Sequence, residues 1–307
     1  MMHRFADKEV GVPGHDPEML RNSLEYLRGE GVGIVPLHEI LRTARAGGDI
    51  SGQVAFTVDD GYADFYRIAE PIFQAFDSPV TVFLTTGFLD GQQWMWWDRV
   101  RFVLQHTEKS GVRLDLEDTA VELSWKREGE GEAAAATLSE VLREMNTSQR
   151  KEAIITLEDA LEVTPPDHPP QEYSPLRWTE VRDLGKRGVF FGPHTVTHPN
   201  LATLPRDEAL AEVRESWNRL RAESDTAVPL FCFPYGKPWN LTPEVLCLPQ
   251  EAGMDGAVVA REQYLSARDA SDHPFELPRF GWPNTLPEVR HITSGMSRAK
   301  DLLLFRG

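Results

Sequence analysis

The sequence predicts an α/β fold on a parallel sheet, closed into a (β/α) barrel and interrupted by a mainly helical insertion. Three observations predict it. Apolar, β-branched runs alternate with amphipathic runs up to residue 86. That rhythm breaks between Thr86 and Trp178. It resumes from Leu176, and strands alternating with helices imply parallel pairing. At 307 residues the expectation is one catalytic domain over 1–307, with the insertion at about 90–176.

The elements follow in order. PEMLRNSLEYLRGEGV spaces Leu20, Leu24 and Leu27 along one helical face and reaches Gly31 near its end. GIVPL is a short extended piece, and LHEILRTARAGG a second short helix. VAFTV (54–58) reads as a buried strand, YADFYRIAEPIFQAF as a helix and PVTVFLTT (79–86) as a β-branched strand. Inside the insertion, WMWWDRVRFVLQ begins a helix, and GVRLDLEDTAVELSWKREGEGE gives two short strands with an acidic turn. AAAATLSEVLREMNTSQRKEAIITLEDALEV supplies one or two amphipathic helices before the linker PPDHPP. Then come the helix WTEVRDLGKRG, the strand VFFGPHTVTH, the helix DEALAEVRESWNRLRAES, the strand PLFCFPYG (229–236), and strand candidates in GAVVA and FELPRFGW.

Acidic residues outnumber basic ones 48 to 32, which argues against nucleic acid or an anionic membrane as the main partner. Cys232 and Cys247 both lie among apolar residues and read as buried free thiols. No apolar run reaches the length of a membrane span, and MMHRFADKEV lacks a secretory leader's apolar stretch, so a cytoplasmic, non-integral protein is expected.

Chemistry enters at FTVDDGYADFY, where an apolar run ends in two adjacent carboxylates. Neither is desolvated cheaply without a cation or a donor. Alone the pair reads first as a surface turn, since Asp-Gly is a common turn dipeptide. GPHTVTHPN changes the balance: His194 and His198 are four apart, and a helical turn would bring both imidazoles to one face. Two imidazoles and one carboxylate leave coordination positions open for water and substrate. Both motifs end strand-type runs, where active sites of parallel α/β folds gather. FCFPYG ends a third such run, and its Pro-Tyr-Gly turn can present a backbone N–H as an oxyanion donor. Together these are the parts of metal-assisted hydrolysis.

T-V-D-D-G, H-T-V-T-H and F-C-F-P-Y-G, in that order, resemble the motifs of the polysaccharide deacetylases with a NodB-homology domain, the family 4 carbohydrate esterases. The resemblance covers roughly 1–90 and 176–285. It implies a distorted (β/α)7-type barrel holding a divalent metal, usually zinc, at the strand ends. It also implies Asp60, His194 and His198 as metal ligands, Asp59 as catalytic base and the Tyr235 backbone N–H as oxyanion donor.

Two departures from the family pattern matter. No convincing L-x-H motif stands near the C-terminus. In a circularly permuted branch the histidine instead opens the domain, so His3 in M-M-H-R-F becomes the candidate acid. The arginine that precedes Pro-Tyr is also missing; Cys232 or Phe231 stands there, and Arg279 in LPRF is the candidate to brace Asp59. The WMWWD cluster (94–98) reads as packing in preference to sugar stacking, with Asp98 capping that region or lining the cleft. EGEGE reads as a solvated loop. The expected substrate is an N-acetylated glycan or lipid-linked sugar, with a homo-oligomer possible through the aromatic-rich insertion. Hydrolysis of a formamide or cyclic ureide, or an inactive glycan- or partner-binding homologue, stays open.

Overall fold

A computed structural model describes residues 1–116, 119–125 and 130–294. They divide into two compact units, one of residues 1–90 and 174 onward, the other Gly91–Tyr173.

The first unit opens with α1 (Pro17–Gly29), β1 (Gly33–Ile34), α2 (Leu37–Arg45), β2 (Gln53–Val54) and β3 (Phe56–Val58). It continues through α3 (Glu70–Ala75), β4 (Val80–Leu84) and α4 (Thr86–Leu89). Asp16 caps α1 by accepting from Glu18 N, Pro17 takes the first position, and Leu20, Leu24 and Leu27 are buried as their spacing predicts. The stretch expected as one helix after the Asp-Asp-Gly turn is divided: Phe65–Ala69 forms a π-helical turn before α3. Pro71, which has no N–H to donate to the preceding turn, sits where the two join.

The second unit contains α5 (Trp96–His106), an antiparallel hairpin of β5 (Gly111–Leu116) and β6 (Thr119–Ser124), α6 (Glu130–Arg143) and α7 (Thr147–Leu161). Val100, Val103, Leu104, Leu138, Leu142 and Leu157 pack with the hairpin in its core. Trp94 packs edge-on to Phe102 and against Tyr173, while Trp96 lies at the margin of the core, so both serve packing. Asp98 is buried in the first turn of α5, near Arg101. The expected acidic turn at 117–118 lies outside the described residues, as do 128–129 of EGEGE. Glu130–Glu132 correct the loop expectation, because they begin α6, and a carboxylate such as that of Glu132 is favoured near the positive helix end.

The first unit resumes with α8 (Trp178–Lys186), β7 (Val189–Pro193), α9 (Arg206–Glu223), β8 (Leu230–Cys232), α10 (Pro243–Glu251), β9 (Gly256–Val259), α11 (Ala267–Asp272), β10 (Leu277–Pro278) and α12 (Leu286–Thr293). β3 pairs with β4 and β4 with β7, all parallel. Beyond β7, Phe191 N donates to Thr226 O and Val228 N to Phe191 O, which lays the approach to β8 alongside. β8 pairs with β9 and β9 with β10, again parallel. Past β10, Met1 N donates to Phe280 O and Trp282 N to Met1 O. Met2 N then donates to Thr57 O and Asp59 N to Met2 O, so the succession of neighbours returns to β3. Leu37, Leu41, Phe83, Leu230, Cys232 and Val258 form one core cluster of this unit, and Val213, Phe231, Leu248 and Val259 belong to another.

Cys232 is buried, but Cys247 is exposed, which corrects the reading of two buried thiols. In α10 the buried positions are Val245, Leu248 and Pro249, which leaves Cys247 on the outward face.

Gly192 marks the tightest approach of β7 to its neighbours. A Cβ there would lie 2.4 Å from Leu230 O and 2.5 Å from the Phe83 ring. Gly192→Ala is expected to destabilise the protein by roughly 1–3 kcal/mol through overpacking; chemical denaturation that shows no change would mean β7 and β8 can separate freely.

Candidate metal centre and active site

Every residue singled out for chemistry lies at or just past the C-terminal end of a parallel strand, except His3, which follows the bridge of Met2 to Val58. Asp59 and Asp60 follow β3, His194 and His198 follow β7, Tyr235 follows β8 and Arg279 follows β10.

The Asp-Asp-Gly turn reverses the chain with two successive residues in the left-handed region, Asp60 at φ 75° and Gly61 at φ 93°. A side chain at Gly61 would press within 3.0 Å of both Leu84 and Leu89, so glycine is required there. Thr85 N holds the Asp60 carbonyl at 3.2 Å. The expected helical turn through H-T-V-T-H is absent. Residues 194–198 form a loop in which Thr195 (φ 66°) and His198 (φ 57°) are also left-handed. Conformations like these are disfavoured for residues with a Cβ and persist only where neighbours hold them. Here Glu212 on α9 accepts from Val196 N and Thr197 N at 2.8 Å each and from the Thr197 hydroxyl at 2.6 Å. Thr86 N and Gly87 N donate to the carbonyls of Thr195 and Val196. His198 N donates to Thr195 Oγ1 at 3.0 Å.

This loop brings both imidazoles onto Asp60. Oδ1 of Asp60 is 3.6 Å from Nε2 of His194 and 3.6 Å from Nε2 of His198, and one donor atom from each residue lies within 4.8 Å of the others. All three side chains are buried. Tetrahedral ligands about 2.1 Å from an ion stand roughly 3.4 Å apart, so the donor set fits a divalent metal. The ring orientation fits as well: His194 Nδ1 donates to the Cys232 carbonyl at 2.7 Å, which turns Nε2 toward Asp60. Burial opposes a charge on His194, but Cys232 and Asp60 outweigh it and raise the imidazole well above its ordinary range, so binding a metal displaces the Nε2 proton. Burial and the charge on the neighbouring His194 push His198 down to about 3, so His198 stays neutral and able to ligate.

Asp59 has a different partner. Arg279 grips it bidentately, Nη1 to Oδ1 at 2.7 Å and Nη2 to Oδ2 at 2.9 Å, and Nη1 also donates to Thr57 Oγ1 at 3.0 Å. Burial opposes the charge on Asp59. The Arg279 charge and hydrogen bonds outweigh it and hold the carboxyl well below the usual carboxylate range. Asp59, His194 and Cys232 form a second group with suitable donor spacing, but the guanidinium already supplies its cation, with Nη2 3.1 Å from Cys232 Sγ. Burial raises the Cys232 thiol, which keeps it protonated and 3.5 Å from Asp59 Oδ2. His3 stands on the open side, its side chain 47% exposed and its Nε2 3.9 Å from Asp59 Oδ2. The Tyr235 ring lies 5.6 Å from that of His198.

Sequence reasoning missed three supports. Glu212 carries no signal in an amphipathic helix. Cys232 was noticed only as a buried thiol and as the place of a missing arginine. Asp64 falls inside the quoted Asp-Asp-Gly stretch yet drew no attention. Its carboxylate accepts from Arg4 Nε at 2.6 Å and Phe5 N at 2.8 Å, so His3 is pinned on both sides, by this contact and by the Met2 bridge.

Residues 129–256 match the family model described as polysaccharide deacetylase. The matched range includes His194, His198 and Tyr235, excludes Asp59 and Asp60, and reaches into the second unit, which the sequence resemblance had left outside. Among solved structures, the chain is similar to the Streptococcus pyogenes deacetylase PplD in complex with acetate, at 17% identity and TM-score 0.58 over 95% of this chain and 94% of that one. It is similar to a de-N-acetylase from Aggregatibacter actinomycetemcomitans at 12% identity and TM-score 0.56, over 94% and 97%. IcaB from Ammonifex degensii matches at 15% and 0.55, over 95% and 93%. At these identities the likeness is one of mixed α/β fold. No curated protein matches the sequence.

Removing Arg279 would leave a buried carboxylate unpaired. Arg279→Ala is expected to destabilise the protein by about 3–5 kcal/mol. Adding Asp59→Asn to it should recover part of that loss in equilibrium denaturation; a double variant no more stable than Arg279→Ala would mean the ion pair does not govern this site.

Proposed function

We propose that the chain is a hydrolase of the polysaccharide deacetylase type, acting on carbon–nitrogen bonds other than peptide bonds, and that it removes N-acetyl groups from amino sugars of a bacterial polysaccharide or its lipid-linked precursor. One observation carries the reading: two imidazoles and one carboxylate converge on a common point while the adjacent carboxylate is reserved, ionised, by an arginine. We read the cyclic succession of parallel strands as a distorted barrel of the (β/α)7 type, with the unit at 91–173 inserted into a single catalytic domain. Among the described residues no helix is long and apolar enough to cross a membrane.

Asp60, His194 and His198 would hold the divalent ion, and imidazole with carboxylate suits zinc. Such an ion, when bound, polarises the acetamide carbonyl and acidifies water. Asp59 accepts the proton of the attacking water, and Arg279 keeps it ionised and oriented for that step. The Tyr235 backbone N–H donates to the oxygen that gains charge as the carbonyl carbon becomes tetrahedral. His3 protonates the departing amine. The water oxygen thereby bonds to the acyl carbon, the carbon–nitrogen bond breaks, and acetate and a free sugar amine leave.

Purified protein should carry about one divalent ion per chain, and His194→Ala should lose it. Asp59→Asn should keep the ion while acetate release from N-acetylated glycans falls by roughly 10²–10⁴-fold. His3→Ala should slow release with the ion retained. Protein that cannot be loaded with metal, or a fully active Asp59→Asn variant, would overturn the assignment.

A further inference from the structure

Three successive backbone N–H groups gather the two chain segments that carry the ligand set. Thr85 N donates to the Asp60 carbonyl at 3.2 Å, Thr86 N to that of Thr195 at 3.1 Å and Gly87 N to that of Val196 at 2.9 Å. The Thr85 hydroxyl donates to the His194 carbonyl at 3.2 Å. The first N–H groups of a helix have no partner within it, so the start of α4 is free to hold both segments. The same short helix packs on the Asp-Asp-Gly turn, where Leu89 closes over Gly61 and Phe88 meets Tyr62 edge-on.

A helix of one turn cannot hold such a position by itself, and α4 has four residues. Its far end is fixed by a side chain. Asp90, the residue that ends α4, accepts from Trp178 Nε1 on α8 at 2.7 Å. It also accepts from Arg219 on α9, Nη2 to Oδ1 at 2.8 Å and Nε to Oδ2 at 3.0 Å. The guanidinium lies over the Trp178 ring, 4.8 Å from its centroid. Single surface ion pairs contribute little, but a two-pronged pair stacked on an indole has a defined geometry.

The helix that supplies Arg219 also supplies Glu212. The two are seven residues apart, close to two turns, so both side chains leave one face of α9. Glu212 holds the backbone of Val196 and Thr197, and Arg219 holds the end of the helix on which that loop rests. Asp90 is the last residue of the first unit before the chain enters the second. The chain's return is tied to the same place: Ala63 N donates to Ser174 O at 3.0 Å and Leu176 N to Gly61 O at 2.8 Å.

We infer that Asp90, locked by Arg219 and Trp178, is a positioning residue for metal binding: it sets α4, and α4 sets the spacing of Asp60 from His194 and His198. The inference rests on the proposed metal site. None of the three locking residues is itself a ligand. Their effect passes through the N–H groups of residues 85–87, which hold backbone in both ligand segments. The junction from which the chain leaves for the inserted unit is thereby coupled to the ion.

Chelator competition on the full chain, with zinc as the probe, reads the affinity directly, and denaturation of the metal-free proteins is measured alongside. Asp90→Ala should weaken zinc binding about tenfold. Asp90→Asn, which can still accept from Trp178, should weaken it about threefold, and it decides the matter if Asp90→Ala does not fold. Arg219→Ala added to Asp90→Ala should cost little more, because the two act as one lock. Arg206→Ala breaks an ion pair to Glu251 at the start of the same helix and should leave the affinity within about twofold. Unchanged affinity in the Asp90 variants, or an equal loss in Arg206→Ala, overturns the positioning role while the metal site stands. Stability that falls with affinity intact makes the lock structural alone and overturns it too. A wild-type chain that takes up no zinc overturns the metal site and this inference together.

Discussion

Two adjacent buried carboxylates can stay ionised together only if each faces its own positive partner. Asp59 and Asp60 follow the same strand, and bare neighbouring anions in a buried setting would drive one to take up a proton. The structure separates them by partner and by backbone. Arg279 closes on Asp59 with two hydrogen bonds, and the left-handed turn at Asp60 directs the second carboxylate to the imidazoles. The difference in partner creates a difference in use. Arg279 holds one carboxylate, and the other is left to face the two imidazoles.

Much of the surrounding architecture keeps that separation in register. Parallel pairing of β3, β4 and β7 delivers the carboxylates and the imidazoles at the same end of the sheet. β10 delivers Arg279 from the other side of the succession, through the Met1 and Met2 contacts. Cys232 joins the two halves of the site. Its carbonyl accepts from His194 Nδ1 and so sets the ring's orientation, and its thiol lies against both Arg279 and Asp59. A small side chain at that position leaves room for a guanidinium arriving from another strand.

What the sequence disclosed and what it hid follow from the range of the interactions. Strand–helix alternation is local, so the order of elements could be read, as could Leu20, Leu24 and Leu27 on the buried face of α1. The three strand-end motifs were readable because each is contiguous. The conformation of 194–198 was not, because the left-handed backbone at Thr195 and His198 is held by Glu212, which lies in a helix without distinguishing pattern. Cys247 was misplaced for a related reason: apolar neighbours in a helix say little about which face a residue takes. Arg279 could be nominated but not positioned, since the pair spans 220 residues of sequence. Asp64 went unnoticed because its value lies in holding Arg4 and Phe5, contacts that no local pattern records.

The strength of the Arg279 contact also constrains how the proposed reaction must run. A carboxyl held well below its usual range is a poor resting place for a proton, since each unit of pKa depression weakens it as a base by a factor of ten. Asp59 is therefore suited to accepting a proton in passing, as the water attacks, and unsuited to keeping it. His3 lies 3.9 Å from the same oxygen and half in solvent, where it can carry a proton on to the amine or exchange one with bulk water. In the proposed reaction, burial beside a fixed cation suits Asp59 to the base's part and exposure suits His3 to the acid's, a contrast of surroundings more than of chemistry.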